Sequence, residues 1–409
     1  VNELNNFRSF LFLWIGQTVS NAGDIFYIVG IISYLYVVSD SVFVVSLIPF
    51  VITFSRFIGG LIAPWILDKV YLKQIIVGSS FGKAFLLVFL LIGMHFSKGL
   101  NTLAFIIPFV SIIAFLDGWQ TPARNSMIPV IVGEEKLVKA NSLLSITDRT
   151  VQLGGWPVGA IIVAALSGKY LITATCFLFF ISSFMMLFVK YTQKVQSSQG
   201  NKTKLWHSLK EGWKYIWNTP TLLTVSVMDA INSITGAVWI AAILYVYVDE
   251  ILHKGEAWWG YINSAFFAGL LLGGVISFKL ERFYKERKRY LIIYGSLLTA
   301  LFTLLFGFPL SPFWALGFSL LVGVPTQIQE IAQLSLIQSS TPQDILPKVF
   351  SARDVIFTGL FGVFALIFGM FSELFGVRSV FVISSLLLLV SSVWAYMRQK
   401  YLDPVKSTL

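Results

Sequence analysis

Long apolar runs alternate with short polar breaks along the whole chain. Twelve of these runs reach the length of about 20 residues that a helix needs to cross a hydrocarbon core. They cover residues 7–38, 42–67, 75–95, 102–127, 142–167 and 171–190, then 222–248, 258–278, 290–308, 312–338, 353–375 and 379–397. A polar stretch at 191–220 separates the two sets of six. Its first part is rich in Gln, Ser, Lys and Asn, and its second part, 205–217, is amphipathic, with Trp206, Trp213 and Trp217 suited to the headgroup level. The pattern predicts an all-α polytopic membrane protein. Its organisation is a six-helix bundle over 1–190, a linker with a surface helix over 191–220, and a second six-helix bundle over 221–409.

Composition narrows the class further. Across 409 residues, 56% are hydrophobic and 12% charged, with mean hydropathy +0.79, which leaves too much apolar surface for a water-soluble domain. The net charge of +10 is explained by its placement. With a cytoplasmic N-terminus, 21 of the 30 basic residues fall in inside loops and tails, whereas outside loops hold only Lys98, Lys169, Lys254 and Arg378. This bias puts both termini in the cytoplasm of a cell-membrane protein and makes nucleic acid an unneeded partner. The first apolar run is too long and too polar for a cleavable signal peptide. Cys176 is the single cysteine, and His95, His207 and His253 fall in loops, so neither a disulfide framework nor a metal cluster is expected. With no nucleotide loop, metal set or paired nucleophile and base, the chain does not read as an enzyme.

The most informative stretch runs from Asp117 to Arg149. Asp117, Thr121 and Arg124 recur at i, i+4 and i+7, giving the fourth span one polar face that needs water, protein or substrate. Pro122 and Pro129 bracket the expected end of that helix, a charged loop over 134–139 follows, and Asn141 or Ser142 is placed to cap the next helix. Asp148 and Arg149 are adjacent within it. The Pro-Ala-Arg, Ile-Pro and Glu-x-x-Leu-x-x-Ala-Asn-Ser-Leu wording resembles the loop between helices 4 and 5 in one branch of the major facilitator superfamily. That branch is the third drug:proton antiporter family, which contains macrolide-efflux proteins and the enterobactin exporter. After the second span, Asp68, Lys69 and Lys73 match the superfamily's charged loop signature, with Pro64 and Tyr71 standing where glycines are usual. Gly154-Gly155-Trp156-Pro157-Val158-Gly159 resembles part of the antiporter glycine-proline signature. Two echoes support a duplication: Gly59-Gly60 leading to Asp68-Lys69 against Gly273-Gly274 leading to Glu281-Arg282, and Asp148-Arg149 against Arg353-Asp354.

An ionisable group at membrane depth costs about 2.5–3.5 kcal/mol on insertion scales unless it is paired or hydrated, so buried charge marks the functional candidates. The resemblance implies that spans 1, 4, 7 and 10 line the cavity and that antiporters carry acids on spans 1, 5, 7 and 10. It thereby implies Asp24, Asp148, Asp229 and Glu330 as proton-coupling groups. The expected substrate-binding residues are Gln17, Asn21, Arg56, Asp117, Trp119, Asn232, Trp239, Gln327 and Gln333. The expected gating residues are Asp68, Lys69, Lys73, Arg124, Arg149, Arg353 and Asp354, with Asp68 pairing with Arg124 near the N-terminus of the eleventh span. The structural alternative remains open: the same acids neutralised by Arg56, Arg124, Arg149 and Arg353, locking helices together. Lys83 reads as a snorkelling lysine on a peripheral helix.

The function these residues imply is a monomeric secondary transporter that exports amphiphilic, cationic or neutral small molecules by proton antiport, with the proton as coupling ion and no cofactor. The alternatives are an exporter of a native siderophore or metallophore, or a lipid flippase of the same fold.

Overall fold

The computed structural model describes residues 2–39, 42–96, 101–191, 205–239, 241–255, 257–309 and 311–403, and no β-strand occurs among them. The first six spans are α1 (Asn2–Ser39), α2 (Val42–Leu67), α3 (Leu72–Phe96), α4 (Asn101–Val132), α5 (Leu137–Leu166) and α6 (Gly168–Leu187). A separate helix, α7 (Leu205–Asn218), is the expected amphipathic element, with Trp213 and Trp217 exposed. The second set begins with α8 (Pro220–Gly236) and α9 (Ala241–Glu250), one span interrupted by a 3-10 turn at Ala237–Trp239. It continues with α10 (Ala257–Lys279), α11 (Glu281–Gly307), α12 (Pro312–Ser340), α13 (Leu346–Phe375) and α14 (Val377–Met397).

Among the described residues, eleven helical segments are long and apolar enough to cross a membrane. The remaining span, α12, has the length, 29 residues, but carries Gln327, Gln329, Glu330, Gln333 and Gln338. The polarity that removes it from the apolar set is the polarity that makes it a candidate site helix.

Two boundaries in the stretch from Asp117 to Arg149 differ from the sequence expectation. Pro122 and Pro129 lie inside α4 rather than at its end. The helix stops at Gly133, whose φ of +73° is the left-handed cap conformation, with its N–H donating to the Pro129 carbonyl at 2.9 Å. Asn141 and Ser142 do not cap α5, because Glu134–Lys136 forms a 3-10 turn and the α-helix begins at Leu137. Both side chains are buried within the helix instead.

The chain divides into two compact units. The first comprises 1–133, 150–214 and 342–355, and the second 134–149, 215–341 and 356–409. In the first unit α2 packs on α4, α1 on α6, and α3 on both α4 and α6. Its core joins Tyr27, Ile31 and Leu35 to Leu87, Leu90, Val110 and Phe179. In the second unit α10 and α11 pack on α12, and α14 packs on α11 and α8. Its core is aromatic: Tyr247 stacks on Phe306 at 4.6 Å and donates its hydroxyl to the Phe306 carbonyl at 2.5 Å. Between apolar helices there is little hydrophobic driving force in lipid, so close packing and interhelical hydrogen bonds must hold them. Ser182 donates to the Gly16 carbonyl at 2.7 Å across α6 and α1, and Ser296, Ser385 and Ser392 tie α11 to α14 at 2.8–3.0 Å.

The same glycine device recurs in both units. A Cβ on Gly118 would lie 2.7 Å from the Arg56 carbonyl oxygen, and one on Gly59 would collide with the Phe115 carbonyl, so α2 and α4 touch backbone to backbone. In the second unit Gly273 meets Val324 in the same way, and Gly323 meets Phe266 and Leu270, bringing α10 against α12. These are the second and fourth spans of each set, and the repeat of the device agrees with a duplicated plan. Substituting Gly118 or Gly323 by Leu is expected to lower stability by about 1–3 kcal/mol through overpacking. Gly154→Ala faces open space and is expected to be near neutral. Thermal unfolding of the purified variants in detergent checks both expectations.

Candidate functional site

Lys83 sits at the middle of the span Leu72–Met94, eleven residues from either end. At 1.5 Å per residue that is roughly 16 Å, beyond what a four-carbon stem can cover to reach a headgroup. Its ammonium is therefore neutralised in place, and its side chain is fully buried. The Nζ donates to Asp117 Oδ1 at 2.7 Å and to Asp24 Oδ1 at 2.9 Å, with Ser20 Oγ at 3.5 Å and the Phe179 ring 4.5 Å below. The other oxygen of Asp117 accepts from Arg56 at 3.1 Å. That pairing is a consequence of the glycine contact, since Gly118 follows Asp117 and presses on the Arg56 backbone.

The cluster thus holds two carboxylates and two cations from α1, α2, α3 and α4, formally balanced. It is graded in exposure: Lys83 0%, Asp117 12%, Asp24 23% and Arg56 48%. On the same face of α1, Gln17 donates to Asn21 at 2.7 Å. On α4, Trp119 packs edge-on against Phe115, and its indole N–H is buried without a hydrogen-bond partner.

A second polar cluster lies on α5 and α12, within the second unit. Arg149 donates to Gln327 and to Glu330, both at 3.0 Å, and Gln327 donates back to Glu330 at 3.2 Å. Glu330 is half-exposed, whereas Gln327 is buried. Further along the pair, Asn141 donates to Ser335 at 3.0 Å and to Gln338 at 2.6 Å. Gln333 is buried and donates to the Met228 sulfur at 3.6 Å. The contact of Gly273 with α12 places its missing Cβ 2.9 Å from that of Gln327, which fixes the depth of this amide.

A third group gathers where α2 ends. Lys348, at the start of α13, bridges Asp68 at 2.7 Å and Glu211 of α7 at 2.6 Å. The surface helix comes close enough that a Cβ on Gly212 would lie 2.5 Å from the Lys348 carbonyl oxygen. Lys73 donates to the carbonyl of Leu187, the last residue of α6, at 2.7 Å, satisfying an orphan helix-end acceptor. Lys69 lies 3.7 Å over the Trp65 ring.

Several expected residues come together, and several assignments change. Asp24, Arg56 and Asp117 share one cluster, and Arg149, Gln327 and Glu330 share the other. Asp68 does approach the start of the eleventh span, but its partner is Lys348, and Arg124 donates to Asn125 at 3.3 Å. Asp354 feels the positive charges of Arg353, Arg56 and Arg124. Asp148, Asp229, Asn232, Arg353 and Asp354 are part-buried. Ser233, one residue on, donates to the Phe357 carbonyl at 2.6 Å. Trp239 is corrected as a substrate platform: its ring stacks on Phe266 at 5.0 Å and packs on Phe306 at 4.8 Å, so it belongs to the aromatic core.

The main correction is Lys83, which is no snorkelling residue but the centre of the first cluster. Its mid-span position was the available signal. Lys83 and Arg56 pair with Asp24 and Asp117, and Arg149 pairs with Glu330. Among the described residues, no group of three His, Cys, Asp or Glu side chains is placed to hold a metal ion.

Helices long and apolar enough to span a membrane, joined by buried ion pairs, define an integral membrane protein. The chain belongs to the major facilitator superfamily, whose family pattern matches residues 13–357; it is a multi-pass membrane protein of a family of small-molecule transporters, not of enzymes. It is 32% identical over 390 residues to the uncharacterized MFS-type transporter YfmI of Bacillus subtilis strain 168, covering 94% of this chain and 95% of that one. Among solved structures, a bacterial homologue of the iron transporter ferroportin in an outward-facing state is similar with TM-score 0.75 at 13% identity, covering 96% and 99% of the two chains. A variant of the E. coli fucose:proton symporter FucP is similar with TM-score 0.73 at 16% identity, covering 96% and 97%. At these identities the likeness is one of fold.

Removing one member of the first cluster leaves the others buried and unbalanced. Lys83→Met is expected to cost about 3–5 kcal/mol, and Lys83→Met with Asp24→Asn to recover part of that loss. Denaturation of the single and double variants in detergent reads out the difference.

Proposed function

We propose that this chain is a secondary active transporter exporting amphiphilic small molecules, neutral or cationic, from the cytoplasm in exchange for protons by alternating access. One observation carries the reading: two carboxylates share a single fully buried ammonium, and Asp24 is the more exposed of the two. With Asp24 ionised, the four-charge cluster is balanced. A proton on Asp24 leaves Lys83 with Asp117 alone and gives the cluster one net positive charge. A proton and a positive or hydrogen-bond-donating substrate group then compete for Asp24, and such competition is a coupling free energy that acts equally on both ligands. That is the requirement for exchange rather than cotransport.

In this reading Gln17, Asn21 and Trp119 contact substrate on the first unit, and Asn232 and Gln333 on the second. Arg149 and Glu330 form a second exchangeable pair, with Asp148 and Asp229 as further proton-holding candidates. The Asp68–Lys348–Glu211 bridge, with Lys69, Lys73, Arg124, Arg353 and Asp354 around it, forms and breaks as access alternates. The distribution of basic residues supports a cell-membrane location with both termini cytoplasmic. The chain works as a monomer with the proton as its coupling ion.

Proton release from the purified protein in weakly buffered detergent tests the proposal. Macrolides, lipophilic cations and catecholate siderophores are added in turn, with binding followed in parallel. The expected result is release on binding of one class, lost in Asp24→Asn while binding persists, with Asp229→Asn and Glu330→Gln reporting any second proton. Ligand binding without proton release in the wild type removes antiport, and release unaffected by Asp24→Asn moves the coupling group elsewhere.

A further inference from the structure

Outside both polar clusters, the second unit carries a groove of about 710 Å³ beside α11 and α12, within the range of pockets that hold drug-sized molecules. It begins at Arg287 and Tyr290, continues past Tyr294, and ends against Leu298 and Ile328. The cause of the groove is local. Arg287 departs from helical geometry, with φ −132° and ψ 25°, so α11 bends where its membrane span begins. Gly295, which lines the groove, lets α11 lie close on α12: its missing Cβ would fall 2.9 Å from the Gln329 Cβ and 3.2 Å from the Pro325 carbonyl oxygen.

We infer that this groove binds one anionic phospholipid of the leaflet that faces the basic segment between α10 and α11. Three observations carry the assignment. The first is charge: residues 279–289 hold six basic and two acidic side chains. Within it Arg289 is engaged, pairing with Asp403 at 3.1 Å and donating to the Tyr290 hydroxyl at 2.7 Å. Among the described residues no carboxylate pairs with Arg287, whose guanidinium lies over the Phe283 ring at 5.1 Å at the mouth of the groove. The second is length. From Arg287 to Leu298 the groove follows eleven residues of helix, roughly 16 Å, which is about half of a 30 Å hydrocarbon core and so the depth of one leaflet. The third is composition along that depth. Arginine and two stacked tyrosines, Tyr290 and Tyr294 at 6.2 Å, stand at the headgroup end, and only apolar side chains stand at the deep end. This ordering matches a phosphate above an acyl chain, with tyrosines at the interface. The site is independent of the transported substrate and of proton coupling.

Native mass spectrometry of the full chain tests it, with phosphatidylglycerol and phosphatidylcholine titrated into detergent-purified protein. The expected result is retention of one phosphatidylglycerol in preference to phosphatidylcholine. Arg287→Gln is expected to weaken that retention about fivefold, with Arg287→Lys restoring it. Ile328→Trp, which fills the deep end and keeps the charge, is expected to weaken both lipids. Lys254→Gln is expected to change nothing, and soluble glycerol phosphate to compete poorly, because it lacks the chain. Equal binding of the two lipids, or an unchanged preference in Arg287→Gln, overturns the assignment. Full displacement by glycerol phosphate makes the site one for free phosphate esters and overturns the lipid.

Discussion

A lysine ammonium fixed at the middle of a membrane span dominates the first unit. Lipid offers it no hydrogen-bond partner, and its stem cannot reach water, so α1 and α4 must each deliver a carboxylate to the same point. That demand sets the rotation of three helices at once. It also explains why α2 and α4 approach to backbone contact at Gly59 and Gly118, since only then does Arg56 reach the second oxygen of Asp117. The Phe179 ring beneath the ammonium closes the cluster from α6. The result is a balanced set of charges whose balance changes with a single proton, which is the property a coupled transporter needs.

The second unit reuses the backbone plan with different chemistry. Gly273 and Gly323 bring α10 and α12 together as Gly59 and Gly118 do for α2 and α4. In place of a buried lysine there is a helix of amides, with Arg149 held by Gln327 and Glu330, and Asn141 held by Ser335 and Gln338. Amides carry no net charge, so this cluster provides buried polar groups while leaving one half-exposed ion pair, Arg149 with Glu330. In the proposed exchange the charge-rich cluster of the first unit holds the proton, and polar groups of both units are available to the substrate.

How much of this was legible in the sequence follows from the range of each cause. The spans read directly from apolar runs, since crossing a membrane is a matter of length and composition. The exception is α12, which reads as one of the apolar runs although Gln327, Glu330 and Gln333 lie within it. Helix ends depended on local chemistry that can be misread. Pro122 and Pro129 suggested a stop, yet Gly133 supplies it, because a proline whose missing N–H is tolerated does not end a helix. Partners were the least legible. Asp24 and Asp117 stood out as buried acids, but that Lys83 joins them depends on α3 lying between α1 and α4, which no spacing along one helix encodes. Asp68 likewise meets Lys348 across 280 positions of chain rather than the nearer Arg124. Trp239 looked free to stack on substrate only because Phe266 and Phe306 are remote in sequence.

The central claim is that the Lys83 cluster exchanges a proton through Asp24. Infrared difference spectroscopy of the membrane-reconstituted protein across a pH step tests it most directly, by following the stretching band of a protonated carboxyl group. The account predicts a carboxyl band that gains and loses intensity with pH in the wild type and is absent in Asp24→Asn, with the lysine band shifting alongside it. Identical difference spectra for the wild type and Asp24→Asn, across the pH range in which the protein transports, would contradict it.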